Sequence, residues 1–409
     1  MQKYKHISIY FFSYFLNAAI SFGVVSLLTH HLSTKDYGII NLYSGAIAFL
    51  TPLLSGGILQ TVNVEFFKRD KPGFARFFSD ALAIPLAGLL LFTFLAFVFT
   101  VPLMHFLKVS NFFIWLIPAT AFFILFTEMI ATITRNRNQP GLFAAFSIGK
   151  NALEACLSVI FVLVLHETWN GRINALILAP ALVSIPVYIL LKKWGYLIPF
   201  SGIASVKTIL VVSSPLIIER MSVFVISSSD RYFIDHYVST AEVGLYSVGA
   251  QIAIIANLTL LSMNNFFYPY IFGELKKKHE KKGGNLKKAI LAYIGVSVIT
   301  VAGVLIATPL VFSWFIGDAF QEGRFYALLL TSAYLPWTIY QSLIPVLLYH
   351  QENKYIMFIS LIAIASSLLF NIMLVPMIGA RGAAFTLLFV NAVMALLAYA
   401  RIRQKHSPL

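Results

Sequence analysis

Leu32-Ser33-Thr34-Lys35-Asp36-Tyr37-Gly38 returns later in the chain as Val238-Ser239-Thr240-Ala241-Glu242-Val243-Gly244. Both read aliphatic-Ser-Thr-x-acid-x-Gly, and the two glycines stand 206 residues apart. A second pair, Gly171-Arg172-Ile173-Asn174-Ala175 and Gly379-Ala380-Arg381-Gly382-Ala383, is offset by 208. Serine followed by an acid three residues on is also an ordinary start of a helix, so one match alone carries little. Two matches at nearly one offset, each at the same point of a half, indicate that the chain is written twice.

Composition says what kind of chain is duplicated. Of 409 residues, 59% are hydrophobic, 11% are charged and 37 are Phe; the mean hydropathy is +0.82. Soluble domains run about 45–50% apolar and about 25% charged. A water-soluble globule of this length has too little interior to hide so much apolar surface. That excludes a soluble enzyme, a disordered tail and a secreted disulfide scaffold. The single cysteine, Cys156, forms neither an internal disulfide nor a zinc cluster. Thirty Lys and Arg against 16 Asp and Glu give a net charge of +14. In a membrane chain this reads as cationic loops facing anionic lipid headgroups, not as a nucleic-acid surface.

A bilayer core about 30 Å thick is crossed by about 20 apolar helical residues. Twelve runs qualify: 7–31, 38–62, 77–101, 112–134, 140–165, 173–191, 206–229, 244–268, 289–315, 325–349, 355–376 and 380–400. They are continuous and not ten-residue alternations, so a lipid-facing barrel is excluded. The first run follows Lys3 and Lys5 and lacks a small-residue cleavage site, so it is expected to be a retained helix. The expected fold is an all-α membrane protein of about twelve transmembrane helices in two six-helix lobes. Residues 1–191 make the first lobe, 192–204 a cytoplasmic linker, and 205–409 the second lobe with a cytoplasmic tail.

Charge placement fits that count. With the N-terminus in the cytoplasm, the outer loops hold only Lys35, Lys108, Arg172, Arg231, Arg324 and Arg381. Lys150 and Arg220 lie inside spans, and every other Lys and Arg falls on the inner side, including seven lysines between 276 and 288. A miscounted span would invert this bias in one half. Both termini are therefore expected in the cytoplasm.

Ionisable groups inside spans are expensive and mark functional positions by default, at about 2.5–3.5 kcal/mol each on insertion scales. Lys150 and Glu154 lie near mid-depth of the fifth span, four residues apart, where they can pair along one helical face. Glu219 and Arg220 lie near mid-depth of the seventh, and Glu128 lies in the fourth. Together they point to a polar, partly cationic cavity between the lobes. Lys150 and Arg220, with Asn151 beside them, are candidates to hold a phosphate, Arg as a planar fork and Lys as a point charge. Glu128, Glu154 and Glu219 are candidates to take up a proton or a sodium ion. Asp230-Arg231, at the outer end of the seventh span, reads as a local ion pair or as part of an outer gate. Asn17, Gln60, Asn63, Asn371 and also Asn151 read as interhelical hydrogen-bond formers.

No G-x-x-x-x-G-K-[ST], H-E-x-x-H or G-x-S-x-G occurs. The sequence therefore calls for no cofactor. The outer loops are short, which makes an enzyme acting on lipid-linked sugars the weaker class.

The short loop Leu32–Gly38, the run Ser229-Asp230-Arg231-Tyr232-Phe233-Ile234 leading to Glu242-Val243-Gly244-Leu245-Tyr246, and Gly379-Ala380-Arg381-Gly382-Ala383-Ala384 carry a resemblance over the whole chain. It resembles the polysaccharide-exporter branch of the multidrug/oligosaccharidyl-lipid/polysaccharide superfamily, which includes the O-antigen repeat-unit flippases. The resemblance implies a flippase in the bacterial inner membrane that moves an undecaprenyl-pyrophosphate-linked oligosaccharide outward by alternating access, driven by an H+ or Na+ gradient. It also implies contact with membrane lipids and with a polysaccharide polymerase. Lipid II flippases of the superfamily carry cations in their first two spans. This chain buries none there, which shifts that duty to Lys150 and Arg220. The alternative within the same fold is a cation-coupled drug exporter.

Overall fold

The computed structural model describes residues 2–279 and 285–405, without the side chains of 2–8, 11, 215, 216, 218, 219, 278 and 279. Among the described residues there are seventeen α-helices and no strand. Lys281 and Lys282 of the lysine-rich loop lie outside the described residues.

Ten helices, as described, are long and apolar enough to cross a membrane by themselves. The two remaining expected spans, 206–229 and 325–349, are each built from two shorter helices. In the first half, α1 (Gln2–His31) is followed by α2 (Thr34–Ser55), α3 (Ile58–Lys68), α4 (Lys71–Val98), α5 (Thr100–Leu107) and α6 (Asn111–Asn136). Then come α7 (Pro140–Val159), prolonged by a π turn over Ile160–Val164, and α8 (Trp169–Lys193). The second half has α9 (Ile203–Ser213), α10 (Pro215–Ser228), α11 (Asp230–Tyr237), the 40-residue α12 (Thr240–His279) and α13 (Leu286–Phe315). It ends with α14 (Gly323–Ser332), α15 (Tyr334–Tyr349), α16 (Asn353–Ile378) and α17 (Ala380–Lys405).

Each break has a local cause. The run expected over 38–62 divides at Gly56 and Gly57, whose φ values of 57° and 76° fall in the left-handed region that glycine enters at no steric cost. Ser55 Oγ accepts from the Gly57 N–H and satisfies one orphan donor of the break. The seventh span divides at Ser214, just before Pro215, which has no N–H to continue the ladder. The tenth divides at Ala333, three residues before Pro336. There Asn391 of α17 donates to the Ala333 carbonyl at 2.9 Å and satisfies it. Hydrocarbon offers no water for this purpose, so broken membrane helices need such partners. Asn391→Leu should lower the stability of the purified protein by about 1–3 kcal/mol, read as the midpoint of thermal unfolding in detergent.

By packing, the chain forms two compact units. The first comprises residues up to Leu32 together with Ile39–Phe224. The second comprises Ser33–Gly38 together with the chain from Val225 onward. The duplication puts its boundary at 192–204, whereas packing draws α9 and most of α10 into the first unit. The reason is a clasp that the sequence reading did not single out. Asp80 of α4, 1% exposed, accepts from the Ser201 N–H at 2.8 Å and the Ser205 hydroxyl at 2.7 Å. Beside it, Ser79 donates to the Tyr196 carbonyl and accepts from the Ile198 N–H, both at 2.8 Å. Arg137, the residue capping the end of α6, stacks on Trp194, 4.2 Å from the ring centroid, and donates to the Tyr196 hydroxyl.

The second unit packs α12 against α13, α14 and α15, and α17 against α15 and α16. Its core includes Ile271, Leu275, Leu343, Leu347, Ala363 and Ala398. Large apolar side chains elsewhere face outward, as with Phe94, Phe266, Trp314 and Met377, which suits contact with acyl chains. At the start of α16, Glu352 accepts from Arg401 Nη2 at 2.8 Å and lies 3.4 Å from Lys405 Nζ. The Arg401 hydrogen bond, with the charges of Arg401 and Lys405 behind it, holds this carboxyl below the usual carboxylate range against its partial desolvation. A lowered folded-state pKa adds stability at neutral pH and loses it as pH falls through the folded value. Glu352→Gln should therefore be less stable than wild type at pH 7, and the difference should vanish under acid. Thermal unfolding across that pH range reads it out.

The structure resolves the repeated heptapeptide into two functions. Ser33 and Ser239 are helix caps: Asp36 N donates to Ser33 Oγ at 3.1 Å, and Glu242 N to Ser239 Oγ at 3.1 Å. The Asp36 carboxylate accepts in turn from Ser33, completing a capping box. The glycines serve a crossing inside the second unit. A Cβ on Gly38 would stand 1.9 Å from the Thr240 carbonyl oxygen, and one on Gly244 would stand 2.0 Å from that of Thr34. The contact is reciprocal, as a duplication paired with itself requires. The second repeat pair shifts register. Gly171 packs on Phe161, and Gly382 on the Leu374 backbone; both are third residues of their helices. Gly171 therefore corresponds structurally to Gly382, and the glycine that the 208 offset pairs with it, Gly379, instead caps α16 with φ 68°.

Candidate functional site

The first unit holds a solvent-open cavity of about 340 Å³. Ser44, Ile47, Thr51 and Ser55 of α2, Leu59 and Gln60 of α3, Glu128 of α6 and Arg220 of α10 are among the residues that line it. Three features of the sequence create it. The Gly56-Gly57 break re-aims α3 so that Gln60 joins residues of α2. Polar side chains recur on α2 at Ser44, Thr51 and Ser55, roughly two turns and then one turn apart, on one face. The Ser214 break lets α10 lie in the first unit and deliver Arg220.

Glu128 and Arg220 are both accessible to solvent within this cavity. The Gln60 amide faces the guanidinium. With its carbonyl turned toward Arg220 it accepts from Nη2 at 2.8 Å and also from Nε, a choice of amide orientation set by the hydrogen-bond pattern. The fields of Lys150, on α7, and of Arg220 both reach the Glu128 carboxylate. The cavity lining therefore sets one guanidinium and one carboxylate among hydroxyls and an amide. Such a lining can meet an anion through its guanidinium and a cation through its carboxylate.

The other expected site residues are placed elsewhere. Glu154 does not pair with Lys150: it accepts from Arg172 Nη2 at 2.6 Å, and Arg172 also reaches Ser158. Arg172 starts α8 next to α7 and offers a bidentate donor that a one-helix i,i+4 lysine does not. Asn151 donates to Asn17 Oδ1 at 2.9 Å, and Asn17 donates to Ser147. Both asparagines thus tie α1 to α7. The side chain of Glu219 lies outside the described residues. Asp230 is 8% exposed, accepts from the Tyr246 hydroxyl and from the Arg231 N–H, and is ion-paired with Arg231 at 3.5 Å. Arg231 also donates to Ser247 and to the Ser227 carbonyl. This knot lies inside the second unit. Gln60 and the three α2 hydroxyls carry more of the site than the sequence reading gave them. Their signal was present as polar residues spaced along one face of an apolar helix.

Among the described residues the chain is an all-helical membrane protein of many spans with a charged, solvent-accessible cavity inside one helical unit. Comparison with solved structures agrees in fold. An inward-facing multidrug-resistance transporter of the MATE family superposes with a TM-score of 0.72 at 17% identity, covering 97% of this chain and 96% of that one. The lipid II flippase MurJ in an inward closed conformation superposes with a TM-score of 0.74 at 12% identity, covering 97% and 87%. An uncharacterized membrane protein of Haemophilus influenzae is 26% identical over 251 residues, which span 60% of this chain and 61% of that protein. The model of the polysaccharide biosynthesis protein family matches residues 4–273. The chain belongs to that family.

Proposed function

We propose that the protein is a flippase for an undecaprenyl-pyrophosphate-linked oligosaccharide, an O-antigen or other surface-polysaccharide repeat unit. It works in the bacterial inner membrane by alternating access, with both termini in the cytoplasm. The observation that supports this most is the cavity lined by Arg220, Gln60 and Glu128, in a chain of the polysaccharide biosynthesis family. The sugar head of such a cargo cannot enter hydrocarbon, whereas its lipid tail need never leave it. A site for the head group must therefore be wet and must match two phosphate charges, which cations and hydroxyls do. About 340 Å³ accommodates the pyrophosphate and its nearest substituent and not a whole repeat unit, so the cavity is an anchoring subsite. Glu128 is the carboxylate placed to exchange a proton or a sodium ion with that subsite. A polysaccharide polymerase is the expected partner downstream.

Deleting the gene should make the lipid-linked oligosaccharide accumulate in the inner leaflet, measured by its inaccessibility to an impermeant lectin in spheroplasts. Re-expression should reverse this. The MATE-like fold and the cavity carboxylate favour one second reading, a cation-coupled drug exporter. Normal translocation of the oligosaccharide with new sensitivity to cationic dyes would decide for it.

A further inference from the structure

A second polar feature runs along the seam where α12 packs on α15, wholly inside the second unit. Asn264 Nδ2 donates to Gln341 Oε1 at 3.4 Å, and the Tyr268 hydroxyl donates to the same oxygen. From α13 the Tyr293 hydroxyl donates to Asn264 Oδ1 at 2.7 Å. The spacing is that of a helix seam: Asn257 and Tyr334 stand one heptad earlier, at the same 77-residue separation as Asn264 and Gln341. Interhelical hydrogen bonding explains the paired atoms of this ladder. It does not explain the atoms left over. Gln341 is half-buried and gives only one of its two amide atoms to these partners. Whichever way the amide is turned, the other atom makes no hydrogen bond among the described residues. Trp337, one turn earlier on α15, is also half-buried, and its indole N–H has no hydrogen-bond partner among the described residues. Gln341 stands at the middle of α15. Acyl chains offer an amide there nothing, so its free atom is costly unless water or a ligand meets it.

The chemistry of the seam is uncharged. Asn264, Tyr268, Gln341 and Trp337 bring amide, hydroxyl and indole groups beside an aromatic face, and no carboxylate or ammonium belongs to the ladder. Asp230 and Arg231 of the same unit are ion-paired with each other at 3.5 Å. A phosphate would ask for a cation, and an organic cation would find ring faces without a carboxylate. A sugar presents what these groups take: hydroxyls and amides that both donate and accept, around a ring face of C–H groups that packs on an aromatic side chain. On the reading of the protein as a flippase for a lipid-linked oligosaccharide, we propose that the α12–α15 seam is a binding surface for uncharged sugar residues of the cargo. The Trp337 ring carries a sugar face, and Gln341 and Asn264 with the Tyr268 hydroxyl bond its hydroxyl or acetamido groups. Selection by sugar then belongs to the second unit and is separable from anchoring of the pyrophosphate.

The test sets two lipids in competition for the full-length protein in detergent. One is the undecaprenyl-pyrophosphate-linked oligosaccharide extracted from the deletion strain, and the other is undecaprenyl pyrophosphate without sugar. Native mass spectrometry resolves the two complexes by mass and gives their ratio. Wild type should favour the sugar-bearing lipid by at least about tenfold, as a few neutral hydrogen bonds supply. Gln341→Leu and Trp337→Leu should each bring the ratio down several-fold toward one. Both should bind undecaprenyl pyrophosphate as wild type does, which also certifies their fold. Trp337→Leu leaves the hydrogen-bonded ladder whole, so it serves where loss of the Gln341 amide disturbs the seam. Equal binding of the two lipids by wild type overturns the sugar surface and leaves the pyrophosphate subsite standing. A ratio undiminished in both variants overturns it as well. Binding of neither lipid by folded wild type overturns the flippase reading on which the inference rests.

Discussion

Gly244→Ala is expected to cost about 3 kcal/mol of stability, near the upper end of overpacking effects. The added methyl would stand 2.0 Å from the Thr34 carbonyl oxygen, a backbone atom that cannot rotate aside. The two helix starts must therefore separate by well over 1 Å. Gly38→Ala meets the Thr240 carbonyl at 1.9 Å and should cost about the same. Because both methyls push on one crossing, the double variant should cost much less than the sum, since neighbouring sites are not additive. Gly295, with open space around its missing Cβ, is the control; there alanine should stabilise the helix by about 0.5–1 kcal/mol. Thermal unfolding of the four variants in detergent, referred to wild type, completes the cycle. Additive losses at Gly38 and Gly244 would mean that the helices do not cross there.

Legibility in the sequence followed the physics of each feature. The all-helical, many-span fold was readable because hydrocarbon leaves the backbone one solution and because a run of apolar residues is a local property. The heptapeptide was readable as a repeat, but its two halves, cap and crossing, needed coordinates, since only packing reveals which carbonyl a glycine faces. Helix breaks were half legible. Pro215, Pro336 and Gly56-Gly57 are visible, yet proline inside a span need not break it, as Pro269 within the unbroken α12 demonstrates. Buried charges were legible as a set and not as partners. Glu154 lies four residues from Lys150, an arrangement that invites pairing, but a guanidinium from the next helix displaced the lysine. Asn391 and Asp80 escaped notice because their role is to satisfy backbone groups whose need arises only once a helix breaks or a linker docks.

Arg220→Ala should reduce translocation by about a hundredfold, the effect of losing about 3 kcal/mol from a hydrogen-bonded charge contact that the bound cargo desolvates. Membrane insertion should stay normal, because removing a cation from a span lowers the cost of insertion. The neighbours of Arg220 turn this loss into a graded series. Arg220→Lys keeps the charge but not the planar fork, and should lose about tenfold. Gln60→Ala frees the guanidinium from the amide that orients it and should lose about as much. Gln60→Glu is the sharper variant: it is nearly isosteric, yet it sets a permanent carboxylate against Arg220 in the place an anionic cargo would occupy. It should therefore be as damaging as Arg220→Ala, although it preserves the packing. Translocation of the oligosaccharide in a deletion strain carrying each variant, normalised to the amount of protein in the membrane, reads out the order. If Gln60→Glu performs as well as Gln60→Ala, the guanidinium is not meeting an anion, and the cavity is not the head-group site.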